Sequence, residues 1–290
     1  MKRFKNIRPI WIVIALLLLV SIGWAVANLS GQANKSAADA GESSQDMEMA
    51  SIDMIKPSQK SPPCNWALEK KLRNELASID KAYSTIVAKA KSEVSANGAV
   101  TAPTQKQLLD SAHKFKNTSD KYAEMWSLCN CTSRAKLASE TGITRVASAE
   151  VIASGADSDK ASALKAQQDR LNTARNAYTK EASENDELSA TDKAAIKKSV
   201  LPRAEKLVSN ATGLVGEITS LLNNIRSQAS PAGLIGGVGG CAAKQGAGDP
   251  NAAEDSVAGL ISPVTSLLSL AEGLLTNAKS LVSDATTLSE

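Results

Sequence analysis

From residue 64 onward, apolar residues recur at spacings of three and four, and this period constrains the fold more than any other feature. The first periodic segment places one such stripe at Leu68, Leu72, Leu76, Ile79, Tyr83, Ile86, Ala90 and Val94. A period near 3.6 lines one face of an α-helix, whereas a strand would alternate with a period of two. We therefore predict an all-α chain without a β-sheet.

Turn signals divide this pattern into six helices. The predicted helices cover residues 66–96, 104–129, 133–153, 158–187, 191–229 and 253–288. Thr141-Gly142 weakens the third, and Pro202 is expected to kink or restart the fifth. Short connections favour antiparallel neighbours, so residues 64–290 are predicted to form an elongated antiparallel bundle with coiled-coil-like packing.

The last helix carries a leucine at every seventh position, namely Leu260, Leu267, Leu274, Leu281 and Leu288. Residues 204–222 align without gaps to residues 271–289 at an offset of 67, and nine of nineteen positions are identical. A duplication and a shared packing requirement both explain this near-repeat. Charged flanks that select a parallel zipper are scarce here, so we expect the two helices to pack as an intramolecular hairpin.

The N-terminal region has the pattern of a membrane anchor. Residues 10–29 contain no charge, and as a helix they are long enough to cross a hydrocarbon core of about 30 Å. Trp11 and Trp24 are expected at the two membrane interfaces, and basic residues within 1–9 place the N-terminus in the cytoplasm. This predicts a single-pass signal-anchor in the bacterial inner membrane with a periplasmic domain.

A cleaved signal peptide is the alternative interpretation. Ala25-Val26-Ala27 fits a small-x-small cleavage pattern, and cleavage after Ala27 would release a secreted or periplasmic protein. Residues 30–63, which are rich in Ser, Ala and polar residues and end in Ser-Pro-Pro, are predicted to be a flexible linker.

The four cysteines all follow the apolar run. In an oxidising compartment an even number favours two disulfides, and a helical hairpin would bring Cys64 to the Cys129-Asn130-Cys131 segment. We predict a bond from Cys64 to one of these two, with Cys131 preferred, and a bond from the other to Cys241. A redox or metal-binding C-x-C and free or intermolecular thiols are the alternatives.

A Gly-rich loop is predicted over residues 230–250. Its apolar part, residues 231–243, contains the candidate contact residues Gly233, Leu234, Ile235 and Val238, which would meet a protein partner or a membrane. A formal G-x-G-x-x-A match within it lacks the preceding strand of a dinucleotide site.

No residue pattern predicts catalysis. His113 is the only histidine and lies in a polar helix, so a nucleophile would lack its base, and we expect no enzyme activity, cofactor, metal or small-molecule substrate. The chain of 290 residues has a net charge of +3; without the four basic residues before residue 10 this becomes −1, which argues against nucleic acid as a partner.

These features together predict a membrane-anchored extracytoplasmic helical protein with a structural or interaction role. We expect protein partners in a cell-envelope assembly such as a secretion, conjugation, pilus or filament apparatus, and a homo-oligomer is one such assembly. The alternatives are a ligand-binding or sensory helical module, and a membrane-active protein that inserts residues 231–243.

Overall fold

The computed structural model describes residues 8–56, 66–184, 188–229 and 259–290, with side chains from Val26 onward. The α-helices are α1 (Arg8–Met54), α2 (Trp66–Asn97), α3 (Ala102–Leu128), α4 (Thr132–Ser154), α5 (Ser158–Glu184), α6 (Ala190–Ala195), α7 (Leu201–Ala229) and α8 (Ile261–Ser289). A π-helical turn, Ile196–Val200, joins α6 to α7. These ranges contain no strand, and the predicted all-α helical bundle is confirmed.

The observed ends of α2, α3 and α4 lie within two residues of the predicted bounds. Two glycines explain where α2 and α4 stop. Gly98 and Gly155 follow these helices with φ of 75° and 72°, in the left-handed region that a residue without Cβ adopts most readily. Asn34 of α1 connects both turns, because its Nδ2 donates to Gly98 O (2.7 Å) and its Oδ1 accepts from Ala156 N (2.8 Å).

The long predicted helix 191–229 is divided at Pro202. Proline has no N–H to donate and its ring clashes with the carbonyl four residues earlier. The wider π turn immediately before it accommodates the ring, and Leu201 N donates to Ile196 O, five residues back. Ser189 begins this region as an N-cap, with its side chain accepting from Asp192 N (3.0 Å).

The long helices alternate in direction from one to the next along the chain. α1 runs antiparallel to α2 and α4, because Asn34 lies beside their C-terminal ends whereas Ile55 O accepts from Arg73 Nη2 near the beginning of α2. The helices α2, α3, α4, α5, α8 and α7 pack successively in an arc, and α1 contacts α2, α4, α7 and α8 from inside it. We call the end at Asn34 the near end and the end at Ile55 the far end.

The prediction of a flexible linker over residues 30–63 is wrong for residues 30–54. This segment continues α1, and its side chains are mostly buried at the centre of the bundle. Its composition misled the prediction because the side chains buried within residues 30–46 are small or polar, and large apolar side chains such as Met47 and Ile52 are buried only near its end. Alanine is the strongest helix former, and Ala33, Ala37 and Ala40, all with 0% exposure, let neighbouring helices approach closely. Residues 57–63 lie outside the described part.

Two glycines lie where neighbouring helices approach closely. A Cβ at Gly41 of α1 would overlap Ile152 of α4, and a Cβ at Gly142 of α4 would lie 2.8 Å from the Cβ of Ser119 on α3. The expected weakening of the helix at Gly142 is not seen, since α4 runs through it without interruption. The glycine instead provides room for α3.

Among the residues that the structure describes, no helix is long and apolar enough to cross a membrane. The side chains of residues 10–25, which make up most of the predicted span, lie outside the described part. The backbone of α1 begins at Arg8 and is helical throughout the predicted span.

Candidate functional site

An ion pair between α1 and α4 lies in the centre of the bundle. Arg145 Nε donates to Glu48 Oε2, and both side chains have an exposure of 0%. Ser148 and Ser44 donate their hydroxyl groups to Glu48 Oε1 at 2.6 and 3.0 Å. Burial raises the pKa of Glu48 above its ordinary value, and the positive charge of Arg145 opposes this rise without cancelling it.

The same guanidinium also reaches α2. Arg145 Nη2 donates to Asp80 Oδ1 (2.9 Å), which also accepts from Gln45 Nε2 of α1 (2.9 Å). The rings of Tyr83 and Phe115 lie beside the guanidinium, with their centroids 4.8 and 4.1 Å from Arg145 Cζ. This cation–π contact with both rings accounts for the burial of Nη1, which makes no hydrogen bond within the described residues. Arg145 therefore connects α1, α2, α3 and α4.

At the far end, polar side chains satisfy the last carbonyl of α1 and the carbonyls of the two residues that follow it. Arg73 Nη2 donates to Ile55 O (2.5 Å), and Tyr178 Oη donates to Met54 O (2.9 Å). Arg134 Nε donates to Lys56 O (2.9 Å). The last carbonyls of a helix have no hydrogen-bond partner within it and carry partial negative charge. Arginines at this end therefore both supply the missing hydrogen bonds and stabilise the negative end of the helix dipole.

A second buried ion pair joins α5 to α8. Arg175 Nε donates to Asp284 Oδ2 (2.7 Å), and Nη2 donates to Asn277 O (3.0 Å). Burial raises the pKa of Asp284, and the charge of Arg175 opposes the rise. The hairpin of α7 and α8 is thus attached to the rest of the bundle through polar as well as apolar contacts.

The predicted leucine seam is buried along α8, whereas Leu260 at the N-cap is only partly buried. Leu267, Leu274, Leu281 and Leu288 are at most 2% exposed and belong to the main hydrophobic core. α7 and α8 pack against each other in opposite directions, with Glu205 and Val208 lying beside Lys279 and Val282. This is the intramolecular arrangement expected from the near-repeat.

Both helices also carry a second apolar ladder, which we call the outer seam. Its half-buried members are Leu201, Val208 and Val215 on α7 and Ile261, Leu268, Leu275 and Val282 on α8. Val208 and Val282 line a shallow cleft of about 280 Å³ whose other walls are Glu205 and Lys279.

A separate cleft of about 550 Å³ lies between α1 and α7, where Gln32 and Lys35 face Gly213 and Glu217.

The predicted disulfide-bonded end of the α2–α3 hairpin is only partly within the described residues. Trp66 and Trp126 pack edge to face with ring centroids 6.4 Å apart, so the beginning of α2 lies beside the end of α3. Cys131 is buried nearby, with its Sγ 3.5 Å from Cys129 O. Cys64 and Cys241 lie outside the described residues, and both pairings stay predictions.

The other predicted site residues are not placed. The side chains of Trp11 and Trp24 and the loop residues Gly233, Leu234, Ile235 and Val238 all lie outside the described part. Within the part that is described, no group of three or more His, Cys, Asp or Glu side chains is arranged to hold a metal ion.

Sequence reasoning missed the buried ion pairs. Arg145 and Glu48 are 97 positions apart, and neither belongs to a motif. One local pattern pointed to burial of Arg145. It shares a face of α4 with the small residues Gly142 and Ser148, three positions before and after it, and α4 exposes few side chains.

Comparison with known proteins gives no family for this chain. No protein-family model, curated protein or solved structure matches it.

Proposed function

We propose that this chain is a membrane-anchored extracytoplasmic helical scaffold that holds protein partners in a cell-envelope assembly, such as a secretion, conjugation, pilus or filament apparatus. The supporting observation is the continuity of α1. One helix, Arg8–Met54, contains both the uncharged run of residues 10–29 and the segment at the centre of the bundle. The anchor and the core are then parts of the same rod.

A continuous helix has a mechanical consequence. At 1.5 Å per residue, a helix of 47 residues is about 70 Å long, of which about 30 Å would cross the bilayer. The remainder enters the bundle at the near end and is fixed by Arg145, Arg73 and Arg134. A bundle held in this way would keep a set height and orientation above the membrane, which suits a structural component better than a tethered module.

Cleavage after Ala27 gives the alternative form of the same proposal. From Val26 onward, where side chains are described, Val26 is partly buried, Ala27 and Asn28 are exposed, and Leu29 is the first buried residue at 5% exposure. Removal of residues 1–27 would therefore leave every fully buried side chain of the described part in place and would remove only the partly buried Val26 from the core. The product would be an exported bundle that holds partners without an anchor of its own.

Fractionation with intact-mass measurement tests the proposal. We expect the wild-type chain in the carbonate-resistant membrane fraction, with a mass that includes residues 1–27 and with the bundle accessible to protease only from the extracytoplasmic side. A mass without residues 1–27 and recovery in the periplasm would establish the cleaved form. Recovery in the cytoplasm would contradict export in both forms.

A matched pair of substitutions tests the anchor itself. Leu18→Arg puts a charge into the middle of the uncharged run, at a cost of about 2.5 to 3.5 kcal/mol for insertion. We expect this variant to lose carbonate resistance. The control is Leu128→Arg, because Leu128 is 81% exposed on α3 and its replacement leaves both the run and the core intact. Equal fractionation of the two variants would count against an anchor at residues 10–29.

A further inference from the structure

The outer seam repeats along the hairpin in a regular register. Val208 lies beside Val282, and moving seven residues forward on α7 corresponds to moving seven back on α8 because the helices are antiparallel. The next rung is therefore Val215 with Leu275. Each of the seam residues Leu201, Val208 and Val215 also lies 67 positions before a seam residue of α8, the offset of the near-repeat. The near-repeat thus retains an inner seam and an outer seam.

Only the inner seam is fully used by the fold. The inner seam consists of leucines at heptad spacing that are at most 5% exposed, namely Leu207, Leu214 and Leu221 on α7 and Leu274, Leu281 and Leu288 on α8. The outer seam packs against the edge of the same core and is only half-buried, so part of each side chain stays exposed. The apolar stripe that attaches a helix to a core commonly includes such flanking positions, so the distinguishing feature of the outer seam is that part of its apolar surface stays exposed.

The exposed residues around the outer seam are small and uncharged for the most part. They include Ser209, Thr212, Thr219, Thr265, Ser269, Thr276 and Ser283. The charges beside them are Glu205, Glu272 and Lys279. By contrast, the exposed face of α2 carries Lys70 and Lys81. A solvated helix face is normally charged, whereas the centre of a protein interface is depleted of charge.

We propose that the outer seam is a homodimer interface, in which a second copy of this chain places its own α7 and α8 against it. The antiparallel register and the 67-residue offset give the hairpin an approximate twofold axis near Ala211 and Ala278, so its apolar rungs form a surface that matches a copy of itself. Such self-complementarity is the requirement for an isologous twofold interface. The flanking charges are few and of both signs, so two copies meet without strong repulsion.

The size of the surface is sufficient for a dimer. Residues 201–222 span about 33 Å at 1.5 Å per residue, and two adjacent helices are about 20 Å wide. Each copy would then bury about 600 Å², or about 1,200 Å² in total, which reaches the lower bound for a specific stable interface. This inference goes beyond the proposed scaffold function and does not depend on the membrane anchor.

Photo-crosslinking of the full chain in detergent tests the identity of the occupant. Leu275 is replaced by the photoreactive residue p-benzoylphenylalanine, and we expect an adduct of twice the chain mass whose link lies in residues 201–222 or 261–289 of a second copy. The same replacement at Ile143, which is 37% exposed on α4, is the control and should give no such adduct. Capture only of a different protein, or no chain-to-chain adduct, would overturn the proposal.

Charge substitution tests the energetics. In the full chain, Val215→Glu combined with Leu275→Glu would place four carboxylates in the interface, and we expect the dimer dissociation constant to rise at least about 100-fold by light scattering. Ile143→Glu should leave it unchanged. Circular dichroism checks that both variants remain helical, and if the double variant does not, Leu275→Lys alone replaces it. A dimer that persists in a folded seam variant, or a monomeric wild type, refutes the interface while leaving the fractionation result untouched.

Discussion

Removal of the positive charge from the central ion pair should destabilise the fold strongly. In Arg145→Met the methionine fills part of the volume between Tyr83 and Phe115, but the fully buried carboxylate of Glu48 keeps only its two serine donors. Removing one partner of a buried pair typically costs about 3 to 5 kcal/mol, because the other charge is left without compensation. For a chain of this size we expect the midpoint of thermal unfolding to fall by roughly 6 to 20 °C.

The pH dependence of this effect follows from Glu48. Its pKa is already raised by burial, and loss of Arg145 removes the charge that opposed the rise. A carboxyl group with a raised pKa in the folded state binds its proton more tightly when folded, so folding carries no penalty below the ordinary pKa of 4.5. The penalty grows as the pH rises through the folded pKa. The stability difference between wild type and Arg145→Met should thus be largest near neutral pH and shrink as the pH approaches 4.5.

Urea denaturation of the full chain in detergent, followed by circular dichroism at several pH values, measures both effects. The double variant Glu48→Met, Arg145→Met removes both charges and should be more stable than Arg145→Met alone at neutral pH. A loss below about 1 kcal/mol, or a loss that stays constant across this pH range, would refute the assignment of Glu48 and Arg145 as a compensated buried pair.

Three further measurements follow. Gly142→Ala places a Cβ against Ser119 and should lower the free energy of unfolding in urea by about 1 to 3 kcal/mol. Gly216→Ala, with no atom within 4 Å of its Cβ, should instead raise it by about 0.4 to 1 kcal/mol. Equal effects of the two substitutions would contradict the close approach of α3 and α4 at Gly142. Tyr178→Phe removes the hydroxyl that bonds Met54 O and should lower the free energy of unfolding by about 1 to 3 kcal/mol, and no loss would show that the carbonyl is satisfied otherwise. Peptide mapping without reduction should find Cys64 linked within the Cys129-Asn130-Cys131 segment, and its absence would reject the predicted cross-link.

The helical pattern predicted most of the architecture because each periodic segment buries a stripe of large apolar residues. Leu72, Leu76 and Ile79 on α2 are buried as the spacing requires, and Gly98 and Gly155 stop their helices as turn residues should. The prediction failed where the buried residues are not large and apolar. Residues 30–54 read as a linker because a helix surrounded by neighbours has no exposed face to create a periodic contrast.

The polar groups that connect α1 to its neighbours were equally hidden. Glu48 and Arg145 are each ordinary in sequence, and only the fold makes them partners. The same holds for Tyr178, whose hydroxyl bonds the end of a helix 124 positions earlier. Long-range pairs of this kind carry no local signal, so a single sequence does not reveal them.

These polar contacts solve a problem that the composition of α1 creates. Over residues 33–46 the buried surface of α1 is largely alanine and serine, and apolar packing of such small side chains would define the rotation and position of this part of the helix weakly. The Glu48 and Arg145 pair fixes the middle of α1, the Asn34 bridge fixes the near end, and Arg134 fixes the far end. A slip by one residue would turn Glu48 about 100° away from Arg145 and leave both charges buried without a partner. The register of α1 is therefore fixed mainly because a shifted register would bury charges without partners, and less by the number of favourable apolar contacts.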